Sequence, residues 1–222
     1  EYRKSLEKMV MAQLAQITRM QHDIIVSMAN VIESRDGTTG EHVKRTSKYT
    51  MLLAEKILEK GLYAEELTVS ILESMRNGAP LHDIGKITIP DAVLTKPGAL
   101  TFEEYEIIKT HAKAGADMIR ENMSQMVSGD FLQVACDMAQ YHHEKWNGKG
   151  YPNGLKGKEI PLTARILAIT DVFDALVSKR QYKEGMSIDE AFAIMEKDRG
   201  ESFEAEILDV FFDLREELER LL

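Results

Sequence analysis

Cysteine is almost absent from this sequence. Cys136 is the single one among 222 residues, so no disulfide can form within the chain. We interpret Cys136 as a small buried residue on a helix, and the scarcity of thiols fits a cytoplasmic location. No stretch approaches the ~20 apolar residues of a membrane span, and no signal-peptide pattern opens the chain. The sequence therefore predicts a cytoplasmic segment with no membrane contact of its own.

Positive charge is also scarce, with 28 Lys and Arg residues against 37 Asp and Glu residues and a net charge of −9. Because a general nucleic-acid binder is usually basic, we expect no nucleic-acid polymer as a partner. A small anionic ligand is compatible with this charge if metal ions or a few Lys and Arg residues lie beside it. An initiator methionine is missing as well. Glu1 opens the chain, and we expect a fragment preceded by a sensor or receiver domain.

Strand-like alternation is missing, and the few Pro and Gly residues cluster between segments of helical periodicity. We predict an all-α fold. Residues 3–34 are typical of one long helix, because apolar residues recur along it at steps of three and four. This stripe could pack on the domain or pair with a second copy as a homodimer. We divide the chain into a linker or signalling helix over 1–30 and a domain over 31–222. The stripe consists of Leu6, Val10, Leu14, Ile17, Met20, Ile24, Met28 and Val31.

Capping signals bound the remaining helices. Three capping boxes, each a Ser or Thr followed three residues later by Glu, predict helix starts. Gly61 predicts a helix end and Pro161 a start. The one long irregular stretch, 147–161, has a length that is usually functional inside a compact domain. The capping boxes are Thr38/Glu41, Thr101/Glu104 and Ser187/Glu190, and the predicted helices include those over about 41–60, 64–82, 130–141 and 203–222.

Only six histidines are present, and five of them lie near helix ends or on helices that could converge. His82 stands beside Asp83, and His142 beside His143. Histidine and carboxylate together bind first-row transition metals. A bridging carboxylate holds two ions about 3.5–4 Å apart, so Asp83 is the candidate bridge. We expect His22, in the long first helix, to be an ordinary helix residue.

Two motifs carry a family resemblance. Residues 82–86, His-Asp-Ile-Gly-Lys, resemble the HD-x-G-K signature. Residues 142–152, His-His-Glu-Lys-Trp-Asn-Gly-Lys-Gly-Tyr-Pro, resemble the HHE-xxx-GxGYP signature of the HD-GYP family. They occur in the family's order, 60 residues apart, with His111 between them. The resemblance covers about residues 30–200 and implies an HD-type helical bundle, here with a long N-terminal helix.

The resemblance implies a metal-dependent phosphodiesterase that hydrolyses cyclic di-GMP to pGpG, GMP or both. The implied nucleophile is a hydroxide that bridges two divalent metal ions, with Fe(II) favoured and Mn(II) as a substitute. Asp83 and Lys86 would be catalytic, since an ammonium near the metals offsets developing negative charge. The first metal would be held by His42, His82, Asp83 and Asp171, and the second by Asp83, His111, His142 and His143.

The resemblance also implies substrate contacts. Arg180 and Lys183 resemble a second phosphate clamp, although Gln181 stands where the family often has Pro. Tyr151 and Gly150 are further candidates for substrate binding. Tyr151 could stack on guanine or simply pack, and Gly150 could instead serve the loop, since glycine permits backbone angles that other residues do not adopt.

One departure from the family concerns the number of metals. Some members carry a glutamate four residues before the first histidine, and it helps to bind a third metal. Thr38 stands there in this chain, so we predict two metals. Glu33 and Asp36 are nearby acids, which we interpret as parts of a solvated turn. Asp174, one turn after Asp171, could orient a ligand histidine or be an exposed helix acid.

Two other functions stay open. The chain could hydrolyse another cyclic dinucleotide, such as a mixed one, with the same metal core and different base contacts. It could also be a non-catalytic or slow cyclic dinucleotide receptor in a signalling protein. Loss of a metal ligand or of Lys86 would mark a receptor, and none of these residues is lost here. The metal content of the purified protein would distinguish a pure scaffold, which should carry little metal.

Overall fold

The computed structural model describes residues 2–36, 41–124, 129–178 and 185–222. Within these ranges the chain is helical and forms no β-strand, only two isolated bridges, so the all-α prediction is confirmed. None of the helices found there is long and apolar enough to pass through a membrane. The helices are α1 (Tyr2–Glu33), α2 (Glu41–Glu59), α3 (Val69–Gly78), α4 (Asp91–Leu94), α5 (Phe102–Met123), α6 (Gly129–Tyr141), α7 (Leu162–Val177), α8 (Ile188–Lys197), α9 (Ala205–Phe212) and α10 (Arg215–Glu219).

The hydrophobic core is built around α7, which is buried along most of its length and packs against α2, α6, α8 and α9. Tyr49 of α2 and Phe211 of α9 contact Phe173 of α7, with ring centroids 5.4 and 5.1 Å away. All three side chains are fully buried, and burial of each such side chain contributes ~1.5–3 kcal/mol. This core holds α2 and α7 side by side, so that His42 and Asp171 face each other.

The first helix has two environments along its length. The prediction of one helix over 3–34 is confirmed to within a residue at each end. Near its C-terminal end, Ala29 and Ile32 are buried, and this end packs against α2. The predicted apolar stripe from Leu6 to Val31 lies on another face, where its side chains are 44–71% exposed. The expectation that this stripe packs on the domain is therefore wrong. The helix carries two apolar faces, one buried at its C-terminal end and one exposed along its length.

The third helix is shorter than predicted. It was expected over about 64–82 but begins at Val69, because Thr68 is its N-cap and accepts a hydrogen bond from the Ile71 N–H. Such a capping hydroxyl satisfies a backbone donor that has no partner within the helix. At the other end α3 stops at Gly78, and a 3-10 helix over Ala79–Leu81 leads to the first metal-ligand motif.

The C-terminal helix differs from prediction too. The single helix expected over 203–222 is divided into α9 and α10 by a break at Asp213 and Leu214. No Gly or Pro marks this break in the sequence, and Leu214 is buried in the core. Two of the predicted capping boxes, at Thr101 and Ser187, are confirmed, whereas Thr38 lies outside the described residues.

The segment that carries His82 and Asp83 is pressed against α5. Gly85 makes this approach feasible, because a Cβ added there would lie 2.0 Å from the His111 carbonyl oxygen and 2.5 Å from the Gly115 nitrogen. Atoms without a bond between them do not come this close, so any side chain at this position would force the two segments apart. The absence of a side chain thus brings Asp83 and His111 together.

The long irregular stretch over 147–161 is fastened by Glu144, which is buried. A Cβ at Gly150 would lie 2.3 Å from the Lys145 nitrogen, so the stretch folds back closely on the residues that follow His143. This fixes the position of Tyr151. The Glu144 carboxylate accepts hydrogen bonds of 2.7–3.1 Å from the backbone N–H groups of Asn153, Gly154 and Leu155.

Candidate metal centre

All seven predicted metal ligands converge in one buried site. They fall into two groups, and within each group one candidate ligand atom of every residue lies within 4.8 Å of the others. The sixth histidine, His22, instead lies 3.0 Å from Asn77 Oδ1 on α3. The arrangement matches the two predicted half-sites, although metal binding itself stays a prediction. The groups are Asp83 with His111, His142 and His143, and Asp171 with His42 and His82.

Asp83 lies between the two groups, and its two carboxylate oxygens face different histidines. Oδ1 is 3.2 Å from His111 Nε2 and 3.6 Å from His142 Nε2. Oδ2 is 3.4 Å from His82 Nε2. A carboxylate in this position can ligate an ion with each oxygen, which is the role predicted for Asp83 as a bridge.

The outer nitrogens of three of the predicted ligand histidines are held by backbone carbonyl oxygens. Nδ1 of His82 is 2.8 Å from the Ala79 carbonyl oxygen, and Nδ1 of His111 is 2.6 Å from that of Ile108. Nδ1 of His142 is 3.0 Å from the carbonyl oxygen of Met138. Since a carbonyl only accepts hydrogen bonds, each Nδ1 carries a proton and each Nε2 is turned to the centre. This is the usual arrangement of metal-ligating histidines.

His42 is oriented by a carboxylate instead. Its Nδ1 lies 2.7 Å from Asp174 Oδ2, and Arg45 donates to Asp174 Oδ1 at 2.6 Å. Although burial favours the neutral acid, these hydrogen bonds from His42 and Arg45 hold the pKa of Asp174 below its usual range. Asp174 is 1% exposed, so its interpretation as an exposed helix acid is wrong and its role in orienting a ligand is supported. Sequence reasoning missed Arg45.

The centre contains buried polar atoms that lack partners. Among the described residues, His82 Nε2 and Asp83 Oδ1 are buried without a hydrogen bond, and each such atom costs about 1–3 kcal/mol. A divalent ion would satisfy both atoms at once. The set of imidazoles and carboxylates suits first-row transition metals, so the residues fit the predicted metals.

The pKa shifts differ between the two groups: they favour neutral imidazoles at His142 and His143, and a protonated imidazole at His82. Burial, together with the neighbouring His142 and His111, holds the pKa of His143 well below its usual range. Burial also lowers the pKa of His142, so both imidazoles are neutral at neutral pH, which is the form that can ligate a metal. Burial opposes the charge on His82 as well, but Asp83 raises its pKa to about 9. A proton would therefore compete with a metal ion for His82 Nε2.

Lys86 lies at the edge of the centre. Its Nζ is 2.7 Å from Asp83 Oδ2 and 3.0 Å from Glu33 Oε1. Burial opposes the charge on Asp83, but the ammonium of Lys86 and the neighbouring His82 hold its pKa well below the usual range. Glu33 is 2% exposed, so its interpretation as part of a solvated turn is wrong. The side chain of Asp36 lies outside the described part of the chain.

Tyr151 stands beside the second group of ligands. Its ring centroid lies 4.7 Å from that of His143, with 31° between the planes. Tyr105 follows, with its ring 6.4 Å from that of Tyr151 and nearly perpendicular to it. Lys109 Nζ lies 5.1 Å from the centroid of Tyr105 and 5.7 Å from that of Tyr151. Sequence reasoning missed Tyr105 and Lys109: their spacing puts them on one helix face, but no local signal places that face against Tyr151.

The predicted substrate contacts are only partly described. Arg180 and Lys183 lie outside the described residues, as does Gln181. Gly150 sits against the backbone of Glu144 and Lys145, and this close packing of the loop by itself requires a glycine there. Of the predicted substrate contacts, Tyr151 is the one whose side chain adjoins the ligand groups.

Comparisons with known proteins connect this geometry to a family. A family model described as HD domain matches residues 25–207. A probable cyclic di-GMP phosphodiesterase of Vibrio cholerae serotype O1 is 41% identical over 209 residues, which are 93% of this chain and 47% of that protein. The 3'3'-cGAMP-specific phosphodiesterase 2 of the same organism is 37% identical over 191 residues, 86% of this chain and 34% of that protein. The crystal structure of a Vibrio cholerae cyclic GMP-AMP specific phosphodiesterase, V-cGAP3, gives a TM-score of 0.63 at 21% identity, over 88% of this chain and 48% of that chain. The chain spans about half or less of the length of these proteins.

Proposed function

Because this chain belongs to the HD domain family, we propose that it is a metal-dependent phosphodiesterase that hydrolyses cyclic di-GMP to pGpG, GMP or both. The observation that carries this proposal is that histidines of both groups lie around the Asp83 carboxylate, with those of one group near Oδ1 and His82 of the other group near Oδ2. A relative named as a probable cyclic di-GMP phosphodiesterase supports the substrate. Both agree with the resemblance to HD-GYP proteins in the two sequence motifs.

The proposed cofactor is a pair of divalent transition-metal ions, with Fe(II) favoured and Mn(II) as a substitute. Bound at this centre, such ions supply Lewis-acid activation of a water molecule and of the phosphodiester. Burial keeps His142 and His143 neutral, and backbone carbonyl oxygens hold the outer nitrogens of His82, His111 and His142. The proposed ligands are His42, His82, Asp83 and Asp171 for one ion, and Asp83, His111, His142 and His143 for the other.

The position of Lys86 supports both the proposed phosphodiester hydrolysis and the proposal of two metals. Its ammonium lies beside Asp83, where it can offset negative charge that develops on a phosphate at the centre. Glu33, His42 and Asp83 form a third group with metal-ligand spacing. Because the Lys86 ammonium already contacts both Glu33 and Asp83, a third cation there would meet its positive charge. We therefore propose two metals.

The second phosphate of the substrate is proposed to be held by Arg180 and Lys183. This assignment rests on the sequence resemblance and on the chemistry of guanidinium and ammonium groups, which bind phosphate through charge-assisted hydrogen bonds. Tyr151 would line the path of the substrate beside His143. We propose that Gly150 contributes the shape of the loop that carries Tyr151 and the backbone that the substrate approaches.

The second candidate substrate is a mixed cyclic dinucleotide. The Vibrio cholerae relative named as 3'3'-cGAMP-specific supports this candidate, because the same metal core could serve either substrate. A non-catalytic receptor is less well supported. A receptor has no need for a full set of ligands, whereas all seven predicted ligands and Lys86 are present and close together.

We also propose that α1 forms a parallel homodimer and connects this domain to an upstream sensor or receiver domain. An α-helix of 32 residues is about 48 Å long. Seven positions along its exposed face, six of them from the apolar stripe, follow the alternating spacing of four and three that coiled coils use. The seventh position is Gln21, next to Met20 of the stripe, and a polar residue at such a position can fix register. The positions are Val10, Leu14, Ile17, Gln21, Ile24, Met28 and Val31. The length of the relatives beyond the match leaves room for another domain, and the scarcity of cysteine supports a cytoplasmic location.

The proposed reaction is tested by purifying the protein anaerobically, loading it with Fe(II) or Mn(II), and incubating it with cyclic di-GMP. Nucleotides are then separated by chromatography, with Asp83→Ala as the control. Formation of pGpG or GMP by the wild type alone is the expected result. Two bound metals without any product would contradict the proposal, and titration with mixed cyclic dinucleotides would then separate a receptor from a hydrolase of another substrate.

A further inference from the structure

A strip of side chains leads from the second ligand group toward solvent. It starts at His143, continues through Tyr151, and reaches Tyr105 on α5 within two ring-to-ring contacts. Tyr105 is 46% exposed, although it touches Tyr151. Lys109 lies one helical turn after Tyr105, and its ammonium lies over the rings of both tyrosines. The mechanism described above uses neither Tyr105 nor Lys109.

We propose that Tyr105 and Lys109 form a base-recognition wall, with Tyr105 stacking on a guanine of the cyclic dinucleotide and Lys109 donating to the edge of that base. This inference rests on the proposed function, because it names how that substrate is selected. Tyr151 stands between the wall and His143, so a base held on the wall would lie one ring away from the centre and would belong to a nucleotide whose phosphate is at the centre. No other part of the reaction depends on it.

Stacking explains why a large aromatic ring stays half exposed at this place. A purine presents a flat apolar face to the ring of a tyrosine, and such stacking tolerates any base. Tyr151 stands nearly perpendicular to Tyr105, so the two rings form a corner and not a closed stack. A base can therefore stack on the face of the Tyr105 ring without displacing the Tyr151 ring.

The ammonium explains a preference for guanine. Guanine offers two acceptors, N7 and O6, along one edge, and lysine is among the side chains that donate to them. Adenine carries an amino donor where guanine has O6, so the same ammonium meets a donor. Lys109 is held by an ion pair with Glu106, which keeps its Nζ near the two rings. The wall would thus distinguish cyclic di-GMP from a dinucleotide that contains adenine.

The test uses equilibrium binding of GMP, AMP and inorganic phosphate to the Mn(II)-loaded protein by calorimetry. Tyr105→Leu should weaken binding of both GMP and AMP by about tenfold, the scale of one lost base stack, and leave phosphate binding unchanged. Tyr105→Phe should restore most of that affinity. Lys109→Gln should weaken GMP about fivefold and AMP less than about twofold. Phe102→Leu and Lys113→Gln are matched controls, since Phe102 is 74% exposed and the Lys113 side chain 66% exposed on the same helix.

The outcomes separate this inference from the proposed function. GMP affinity within about twofold of the wild type in both variants would overturn the wall, even if cyclic di-GMP is hydrolysed. A parallel loss of phosphate binding in Tyr105→Leu would also overturn it, because Tyr105 would then only support the fold of the site. If the wild type hydrolyses no cyclic di-GMP, the proposed function fails, while the GMP and AMP titrations still decide whether the wall binds a base.

Discussion

Glu33 Oε1 lies 3.0 Å from Lys86 Nζ, which joins the last residue of α1 to the lysine of the first motif. Arg35 strengthens this connection, because its guanidinium donates to the carbonyl oxygens of Lys86, Ile87 and Ile89. The end of the long helix is therefore fastened to the segment that follows Asp83. A rotation or shift of α1 would therefore move the partner of the Lys86 ammonium.

Replacing the Glu33 carboxylate should disturb Lys86 without removing a predicted metal ligand. In Glu33→Gln we expect kcat for cyclic di-GMP to fall about tenfold, the scale of one charge-assisted hydrogen bond, with KM and metal content nearly unchanged. Steady-state kinetics and elemental analysis measure these quantities. Glu41→Gln is the control, because the Glu41 side chain is 63% exposed and pairs only with Lys44 among the described residues. An unchanged kcat in Glu33→Gln would show that Lys86 does not depend on α1.

Loss of the carboxylate that orients His42 should weaken metal binding. Asp174→Asn removes the charged partner of His42 and Arg45, and changes of this kind lower metal affinity by about 10–100-fold. Competition with a chelator measures the affinity. Asp189→Asn, whose side chain is 74% exposed on α8, should bind metal as the wild type does. Equal affinities in the two variants would refute the orienting role.

The contact between Gly85 and α5 should make this position intolerant of even a methyl group. A Cβ in Gly85→Ala would lie 2.0 Å from the His111 carbonyl oxygen, so we expect the free energy of unfolding to fall by about 3 kcal/mol. Urea denaturation measures it. Gly129→Ala meets nothing within 4 Å and should change stability by less than about 0.5 kcal/mol. Similar unfolding curves for both variants would contradict the described packing.

Metal removal should lower the melting temperature of the wild type. A ligand that binds only the folded state stabilises it by about 2.7 kcal/mol at a hundred times its dissociation constant, and that difference is lost on chelation. Scanning calorimetry with and without EDTA measures the effect. Asp83→Ala lacks the residue between the two groups, so EDTA should shift its melting temperature much less. If EDTA leaves the melting temperature of the wild type unchanged, no stabilising metal binds.

The exposed stripe of α1 should hold two copies of the chain together. Leu14→Glu places a charge in the middle of the stripe, where a dimer would bury it, and we expect the dimer to dissociate to monomers. Light scattering coupled to gel filtration measures the mass. Ala12→Glu, on another exposed face of α1, should leave the dimer intact. A monomeric wild type at high micromolar concentration would end this proposal.

Sequence reasoning located the residues whose identity is unusual and missed those whose importance depends on contacts made far along the chain. Four of the predicted ligands stand in the two recognisable motifs, and the resemblance alone pointed to His42, His111 and Asp171. The starts of α5 and α8 could be predicted because Thr101 and Ser187 open them with capping boxes. The burial of Glu33 could not be inferred, since it depends on α1 folding back onto the segment after Asp83. The break at Asp213 and Leu214 escaped prediction because no local residue signals it.

The position of Asp83, with one oxygen toward each ligand group, would make the two proposed metal sites thermodynamically dependent on each other. Whatever factor the first ion imposes on the affinity of the second, the second imposes on the first. If binding of the first ion positions the shared carboxylate for the second ion, little of the protein carries only one ion. Activity then rises more steeply than in proportion to free metal. The domain would in that case report the availability of iron or manganese as well as the level of its nucleotide.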